Sequence, residues 1–199
     1  MYVYIGCMPK PSNREKILTE GLRVVHERGF GGASVRDIVQ AAGVPQGSFT
    51  NHFASKEAFG LEVLELYFEA SRKVIAETLL NDALPPLQRL GAYIDTNKAR
   101  LSRHGMRNGC LLGNFSAEGD HSEVIRHRVV EIFAEVQESI ASCLRAAVAS
   151  GDLSQSIDSN EIAGFILASL QGAILLAKAQ HSVVPVERFK RILFSTILR

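Results

Sequence analysis

The chain has 199 residues, 46% of them hydrophobic, with six prolines and no repeat or biased tract. It is long enough to fill a sizeable core, as one compact domain or a small domain joined to a larger one, and it is not a disordered chain. A formal net charge of +1 gives no global electrostatic case for nucleic acid. The distribution says more: residues 1–56 carry 7 Lys/Arg against 4 Asp/Glu, and residues 57–199 carry 15 against 17. A mildly basic head on a mildly acidic body fits DNA contact at one end.

Residues 1–8, MYVYIGCM, are apolar but too short to span a bilayer, and they lack the basic start of a signal peptide. Elsewhere no apolar run reaches membrane length without a charged or polar break, so a cytoplasmic protein without membrane association is expected. Met8 opens MPKPSNREKIL, an alternative start to Met1, and the intact mass of the native protein decides between them. If Met1 is the start, the short arm is placed to pack on a neighbouring subunit.

The first helix is expected over residues 13–28, with Ile17, Leu18, Leu22 and Val25 as its apolar face. Gly29, Gly31 and Gly32 around Phe30 stop it, because glycine accepts the left-handed conformation that closes a helix. Ser34 caps the next helix, with Asp37 three residues on as the other half of a capping-box pair. Val35, Ile38, Val39 and Ala42 form its narrow apolar face. In the turn Ala41-Ala42-Gly43-Val44, small residues allow close approach, Gly43 permits positive φ and Val44 plugs the corner. Pro45 stands where a second short helix begins, a position that loses no hydrogen bond.

A helix-turn-helix of this kind sets the start of its second helix against base edges in the major groove. Those residues are Gln46, Gly47, Ser48, Thr50 and Asn51, with His52 and Lys56 placed to reach phosphates. Gln and Asn pair bidentately with adenine, and a Thr methyl contacts thymine. Pro9 and Pro11 keep the preceding segment extended, so Lys10 and Arg14 lie near the DNA backbone and add affinity without sequence preference. A helical hairpin in an ordinary α-protein is the alternative. Glycine stop, cap, turn and polar second helix together go against it.

On these residues, 13–60 resembles the DNA-binding domain of the TetR family of bacterial one-component regulators. The likeness rests on the apolar first helix ending at Gly29-Phe30, then SVRDIVQAAGV, then GSFTNHFASKEAF. It implies that Ser34 and Arg36 lie at the DNA backbone and that Lys56 opens the next helix beside a phosphate. In one departure, the family usually carries a phosphate-contacting Tyr at the position of Thr50, where the shorter side chain leaves that contact water-mediated or absent.

Beyond Lys56 the chain reads as helical throughout, making the fold class all-α. An N-terminal three-helix helix-turn-helix domain (10–56) precedes a larger helical ligand-binding and dimerisation domain (57–199). Helices are expected over 56–81, with Phe59, Val63, Leu66, Tyr67, Ala70 and Val74 inward, and over 86–103 after Pro85-Pro86. A short helix follows over 110–118 in a glycine-rich stretch. Ser122 caps a helix to 150 ended by Gly151, Asp158 with Glu161 opens one to 181, and the last runs 185–198.

The segment IAGFILASLQGAILLAKA, 162–179, is apolar nearly all round, so its helix must be covered on several sides. Its small residues admit a second helix closely. The resemblance implies a homodimer through a four-helix interface, which places two heads on a palindromic operator; a central helix of a monomer is the alternative.

The remaining helices are expected to enclose a cavity for a small-molecule effector, with Tyr93, Asn97, Leu101, Phe115, Phe133, Gln137 and Gln171 as candidate lining. An effector acts by binding best to a conformation whose heads are wrongly spaced, and the helix from Lys56 is the lever.

Three cysteines without a signal peptide mean reduced thiols rather than a disulfide framework. Cys7 is in the N-terminal arm, and Cys143 among Ile140, Leu144 and Val148 reads as core. Cys110 follows Arg103, His104 and Arg107 at a helix start, and both features favour the reactive thiolate. NGCLLGNFSAE also resembles the NemR-like subgroup of the family, in which a cysteine here senses electrophiles or oxidants. A small buried hydrophobe is the alternative for Cys110.

Enzyme chemistry is not expected. Gly29-x-Gly31 follows a helix rather than a strand, and there is no phosphate loop or Gly-x-Ser-x-Gly elbow. His104, Cys110, His121, Glu123 and His127 are irregularly spaced for a metal, and a Cys110–His104 hydrolase lacks an orienting third group. No metal or other cofactor is expected. The expected function is a transcriptional regulator, a repressor released from its operator by a small-molecule or electrophile effector. Its rivals are a DNA-binding architectural protein without an effector and, more distantly, a thiol enzyme.

Overall fold

The structure, a computed structural model, describes residues 10–103, 105–118 and 122–199. The arm 1–8 with Cys7, and the residues His104 and His121, lie outside the described residues. Within them every regular element is helical, as the all-α expectation requires. They form two compact units, one ending at Val63 and the other beginning at Leu64.

The first unit holds α1 (Asn13–Arg28), α2 (Val35–Ala41), α3 (Gly47–His52) and the start of α4 (Lys56–Glu77). Side-chain caps set where these helices begin. The Ser12 hydroxyl accepts from the Glu15 amide while the Glu15 carboxylate accepts from the Ser12 amide at 2.7 Å. Ser34 and Asp37 repeat the arrangement at the start of α2. Gly29 closes α1 at φ 79° and Gly43 makes the turn after α2 at φ 63°. The Pro45 carbonyl accepts from the Ser48 amide at 2.9 Å. The proline therefore makes a turn ahead of α3, and the helix starts at Gly47 rather than at Pro45 itself.

The buried face of α1 is Ile17, Gly21, Val24 and Val25, whereas Leu18 and Leu22 are only partly covered. The face is turned from the expected one because Gly21 is where the neighbouring helices enter. A Cβ there would stand 2.3 Å from Phe59 Cζ and 3.1 Å from Ile38 Cγ2. Phe49, Phe53 and Phe59 complete the core, with ring centroids 5.1 to 5.3 Å apart. Such a cluster fixes α3 by aromatic packing.

The second unit holds the rest of α4, then α5 (Pro86–Arg103), α6 (Leu111–Ala117), α7 (Glu123–Ala149), α8 (Ser159–Gln180) and α9 (Val184–Ile192). Its core includes Leu64, Phe68, Leu79, Leu90, Ile94, Leu111, Ile132, Ile140 and Leu144. In α4 the buried stripe beyond Val63 is Leu64, Phe68 and Ile75, and Leu79 in the turn after the helix continues it. Leu66, Tyr67 and Val74 are half-buried and Ala70 is exposed, which corrects the expected face. The stretch LELYF offers two apolar stripes, and Phe68 decides between them by filling the core.

Two helix ends also differ from expectation. Beyond Glu77 the Leu80 amide bonds the Ile75 carbonyl and the Asn81 side chain accepts from the Ala83 amide, so α4 unwinds before residue 81. The final helix is not α-helical to 198: after α9, residues Leu193–Ile197 form one π turn, with the Leu198 amide reaching the Leu193 carbonyl at 3.0 Å.

An ion network crosses from α4 to α7. Arg128, its side chain only 20% exposed, forks onto Glu65 and also meets Glu131 and Glu135. Arg72 meets Glu69 and Glu135 and lies 4.2 Å over the Phe68 ring. On α8, Ala163, Ile166, Leu167, Leu170, Ala173, Ile174 and Ala177 are buried. Phe165, Leu175 and Leu176, each about half exposed or more, face outward from the isolated chain.

Candidate functional site

Two groups of expected residues can be followed in the structure, one in each unit. In the first, Phe49 and Phe53 anchor α3 to the core. A 3.6-residue repeat then turns Gly47 and Asn51 to the opposite side. Gln46, Gly47, Thr50, Asn51 and His52 are all exposed, and Ser48 is half-buried. This is a polar ridge on a short, firmly seated helix, the form a major groove accepts. The Thr50 hydroxyl donates to the Gly47 carbonyl at 3.1 Å.

Arg36 is exposed on α2. The Ser34 hydroxyl is engaged by Asp37, and the bond to Ser34 with the nearby Arg28 holds the Asp37 carboxyl below the usual carboxylate range. Lys56 is half-buried, its ammonium 4.7 Å over the Phe30 ring. Arg14 stacks 5.4 Å over Phe53 and pairs with Glu62 at 2.5 Å.

In the second unit, Cys110 is the N-cap residue of α6 and is half-buried. The Tyr67 hydroxyl points at its sulfur across 3.9 Å. Burial, and then the proximity of Cys110, pushes the Tyr93 hydroxyl up to about 12 and the Tyr67 hydroxyl higher still. The Tyr67 phenol is thus a donor aimed at the Cys110 sulfur. Arg100 lies 5.9 Å over the Tyr67 ring.

The Asn97 amide donates to the Tyr93 carbonyl at 2.9 Å, while Leu101 and Phe115 are buried. Lys178 donates to Asn114 at 3.3 Å and closes over Gly109, which sits at φ 67°. Gln171 lies against Gly113 of α6. Tyr93, Asn97, Cys110 and Gln171 thus fall on the elements around α6. Gln137 instead stands at the opening of α8, donating to the Asn160 carbonyl at 3.4 Å beside Gly164, and Phe133 is half-buried on α7.

Sequence reasoning missed Tyr67, Arg100, Asn114 and Lys178. Tyr67 counted as apolar in the helical repeat, although a buried phenol needs a partner for its hydroxyl, and that requirement was the available signal. Cys143 is buried, its thiol against the Pro86 carbonyl, and burial pushes its pKa up. Among the described residues no group of His, Cys, Asp or Glu is arranged to hold a metal ion. Glu123 and His127 form an exposed i,i+4 pair.

Two family models match the chain: bacterial regulatory proteins of the tetR family over residues 17–63, and the Tetracyclin repressor-like C-terminal domain over residues 86–193. The HTH-type transcriptional repressor DhaR of Mycobacterium sp. (strain GP1) is 35% identical over 192 residues, covering 96% of this chain and 95% of DhaR. The crystal structure of Escherichia coli NemR in its reduced form superposes with a TM-score of 0.83 at 31% identity, over 90% of this chain and 93% of NemR. A cysteine mutant of the regulator CifR, complexed with 26-base-pair double-strand operator DNA, gives a TM-score of 0.80 at 25% identity, over 93% of this chain and 98% of that one. With an exposed polar helix seated on a phenylalanine core, and with likeness along nearly its whole length, the chain belongs to the TetR family and is a DNA-binding transcriptional regulator rather than an enzyme.

Proposed function

We propose that this protein is a cytoplasmic homodimeric repressor that reads a palindromic operator and leaves it when an effector binds. The observation that carries the reading is α3: Phe49 and Phe53 are buried on one side, and Gly47, Thr50 and Asn51 are exposed beyond them. Gln46, Gly47, Ser48, Thr50 and Asn51 face base edges, while Ser34, Arg36, His52 and Lys56 lie along phosphates. In this assignment residues 10–56 are the DNA-binding domain and 57–199 the ligand-binding and dimerisation domain. The relatives DhaR and NemR, both named repressors, support the direction of control.

Dimerisation is assigned to α8. Phe165, Leu175 and Leu176 leave large apolar surface in water, and burying the exposed half of each side chain is worth about 1 kcal/mol. Changing Leu175→Glu together with Leu176→Glu is expected to give a monomer in sedimentation and to abolish operator binding. A wild-type protein that sediments as a lone subunit, or that grips random duplex as firmly as its operator, ends the proposal.

The effector site is assigned to α5, α6 and the facing part of α8, with Tyr93, Asn97, Cys110, Phe115 and Gln171 in it and Phe133 and Gln137 further along α7. Cys110 is its sensor. The half-buried sulfur at a helix start, faced by a phenol donor, supports reaction with an electrophile such as a quinone or aldehyde. The release assay uses operator duplex bound to the intact protein. A quinone is expected to free the DNA from the wild type and not from Cys110→Ser; equal release from both removes the sensor assignment.

A further inference from the structure

Two features of α3 have no cause among the described residues. Gly47 is exposed, its φ is not positive, and a Cβ added to it meets no atom of the described residues within 4 Å. Gly47 is the first residue of α3, and neither backbone conformation nor a crowded neighbour calls for glycine there. Thr50, one turn on, is exposed, but its hydroxyl already donates to the Gly47 carbonyl at 3.1 Å. A hydroxyl has a single proton to give, so Thr50 offers an incoming surface its γ-methyl and an acceptor oxygen but no further donor.

A helix bare at one position with a methyl beside the gap fits an apolar knob. The 5-methyl of thymine is such a knob on the major-groove edge of DNA. We infer that Gly47 and Thr50 form a notch for one thymine methyl group in each half-site. The missing side chain at Gly47 lets the base edge come close to the helix backbone, and the Thr50 methyl packs against the thymine. In this notch Thr50 selects its base through the methyl group rather than through a donated proton. The inference rests on α3 being the operator-reading helix proposed above.

The test uses full-length protein and a duplex recovered from a random library by selection on the wild type. Each thymidine of a half-site is replaced in turn by deoxyuridine, which removes only the methyl. One position is expected to weaken wild-type binding about fourfold, the value of one buried methyl group. Thr50→Val keeps the methyl and is expected to retain affinity and the deoxyuridine response. Thr50→Ser keeps the hydroxyl and is expected to lose about fourfold and to become indifferent to deoxyuridine.

Gly47→Ala fills the gap, so affinity falls by at least about tenfold while the thermal midpoint stays level or rises. The inference is overturned if Thr50→Val binds weakly and Thr50→Ser normally, if no thymidine responds, or if Gly47→Ala binds as the wild type. Asn51→Ala separates the two levels. If it keeps full affinity, α3 does not read the operator and the proposed function fails with the notch. If it loses affinity while the notch tests fail, the notch alone is wrong.

Discussion

The two units of this protein are held together by different means. In the first, short helices are positioned by devices a few residues long: the Ser12–Glu15 and Ser34–Asp37 boxes, the turns at Gly29 and Gly43, and three phenylalanines in mutual contact. In the second, helices of up to 27 residues are tied by partners far apart in sequence, with Arg128 reaching back to Glu65 and Lys190 to Asp95. A small reading head gains from being locally determined, because its few helices must keep one shape. A longer bundle stabilised across helices can shift one helix against another without unfolding either.

The strongest way to break this comparison is to remove Phe59, which is fully buried and touches both Phe49 and Phe53. Phe59→Ala is expected to cost about 3–5 kcal/mol, a large part of the margin of so small a unit. Operator binding should disappear while the second unit keeps its urea midpoint by circular dichroism. Phe68→Ala, equally buried but in the second unit, should lower that midpoint instead. Identical shifts in both variants would mean that the units melt as one block, and the contrast between them would be lost.

Arg128 sharpens the comparison from the other side. Its fork onto Glu65 holds that carboxyl below the usual range. The stabilisation is present above the ordinary carboxylate pKa and is lost as pH falls through the lowered, folded value. Glu65 is 46% exposed, so solvent screening reduces the expected cost of Arg128→Ala to about 1–2 kcal/mol. Urea titrations across acidic pH should show a flatter pH dependence in the variant. An unchanged slope would mean that Glu131 and Glu135, not Glu65, carry the interaction.

The same contrast decides what was legible in the sequence. Ser34, Ser122 and Asp158 were readable as caps, and Gly29 and Gly151 as stops, because each acts within one turn. The exposed ridge of α3 was readable too, since Phe49 and Phe53 fix one side of a short helix. Faces were harder. Gly21 turns α1 only because Phe59 arrives from another helix, and Phe68 rather than Leu66 enters the core for reasons no local window contains. The Cys110 surroundings were half legible. Cys110, Tyr93 and Asn97 could be named, but Tyr67 and Lys178 meet α6 from positions far along the chain. The π turn at 193–197 left no sequence mark that we recognise.

The smallest expected effect tests a residue that belongs to both kinds of argument. Ser34 caps α2 through Asp37 and is also proposed to lie at the DNA backbone. Ser34→Ala removes the cap and should cost about 1 kcal/mol, with part of the acid sensitivity of the first unit lost as well. The lowered Asp37 carboxyl stabilises that unit above the ordinary carboxylate pKa, and the effect fades as pH falls through its folded value. Ser34→Asp keeps a capping oxygen, so stability should stay near the wild type. An added negative charge facing phosphates, however, should weaken operator binding, most strongly at low salt. If Ser34→Asp binds DNA as well as the wild type across salt concentrations, Ser34 is only a cap and the edge of the DNA footprint stops short of it.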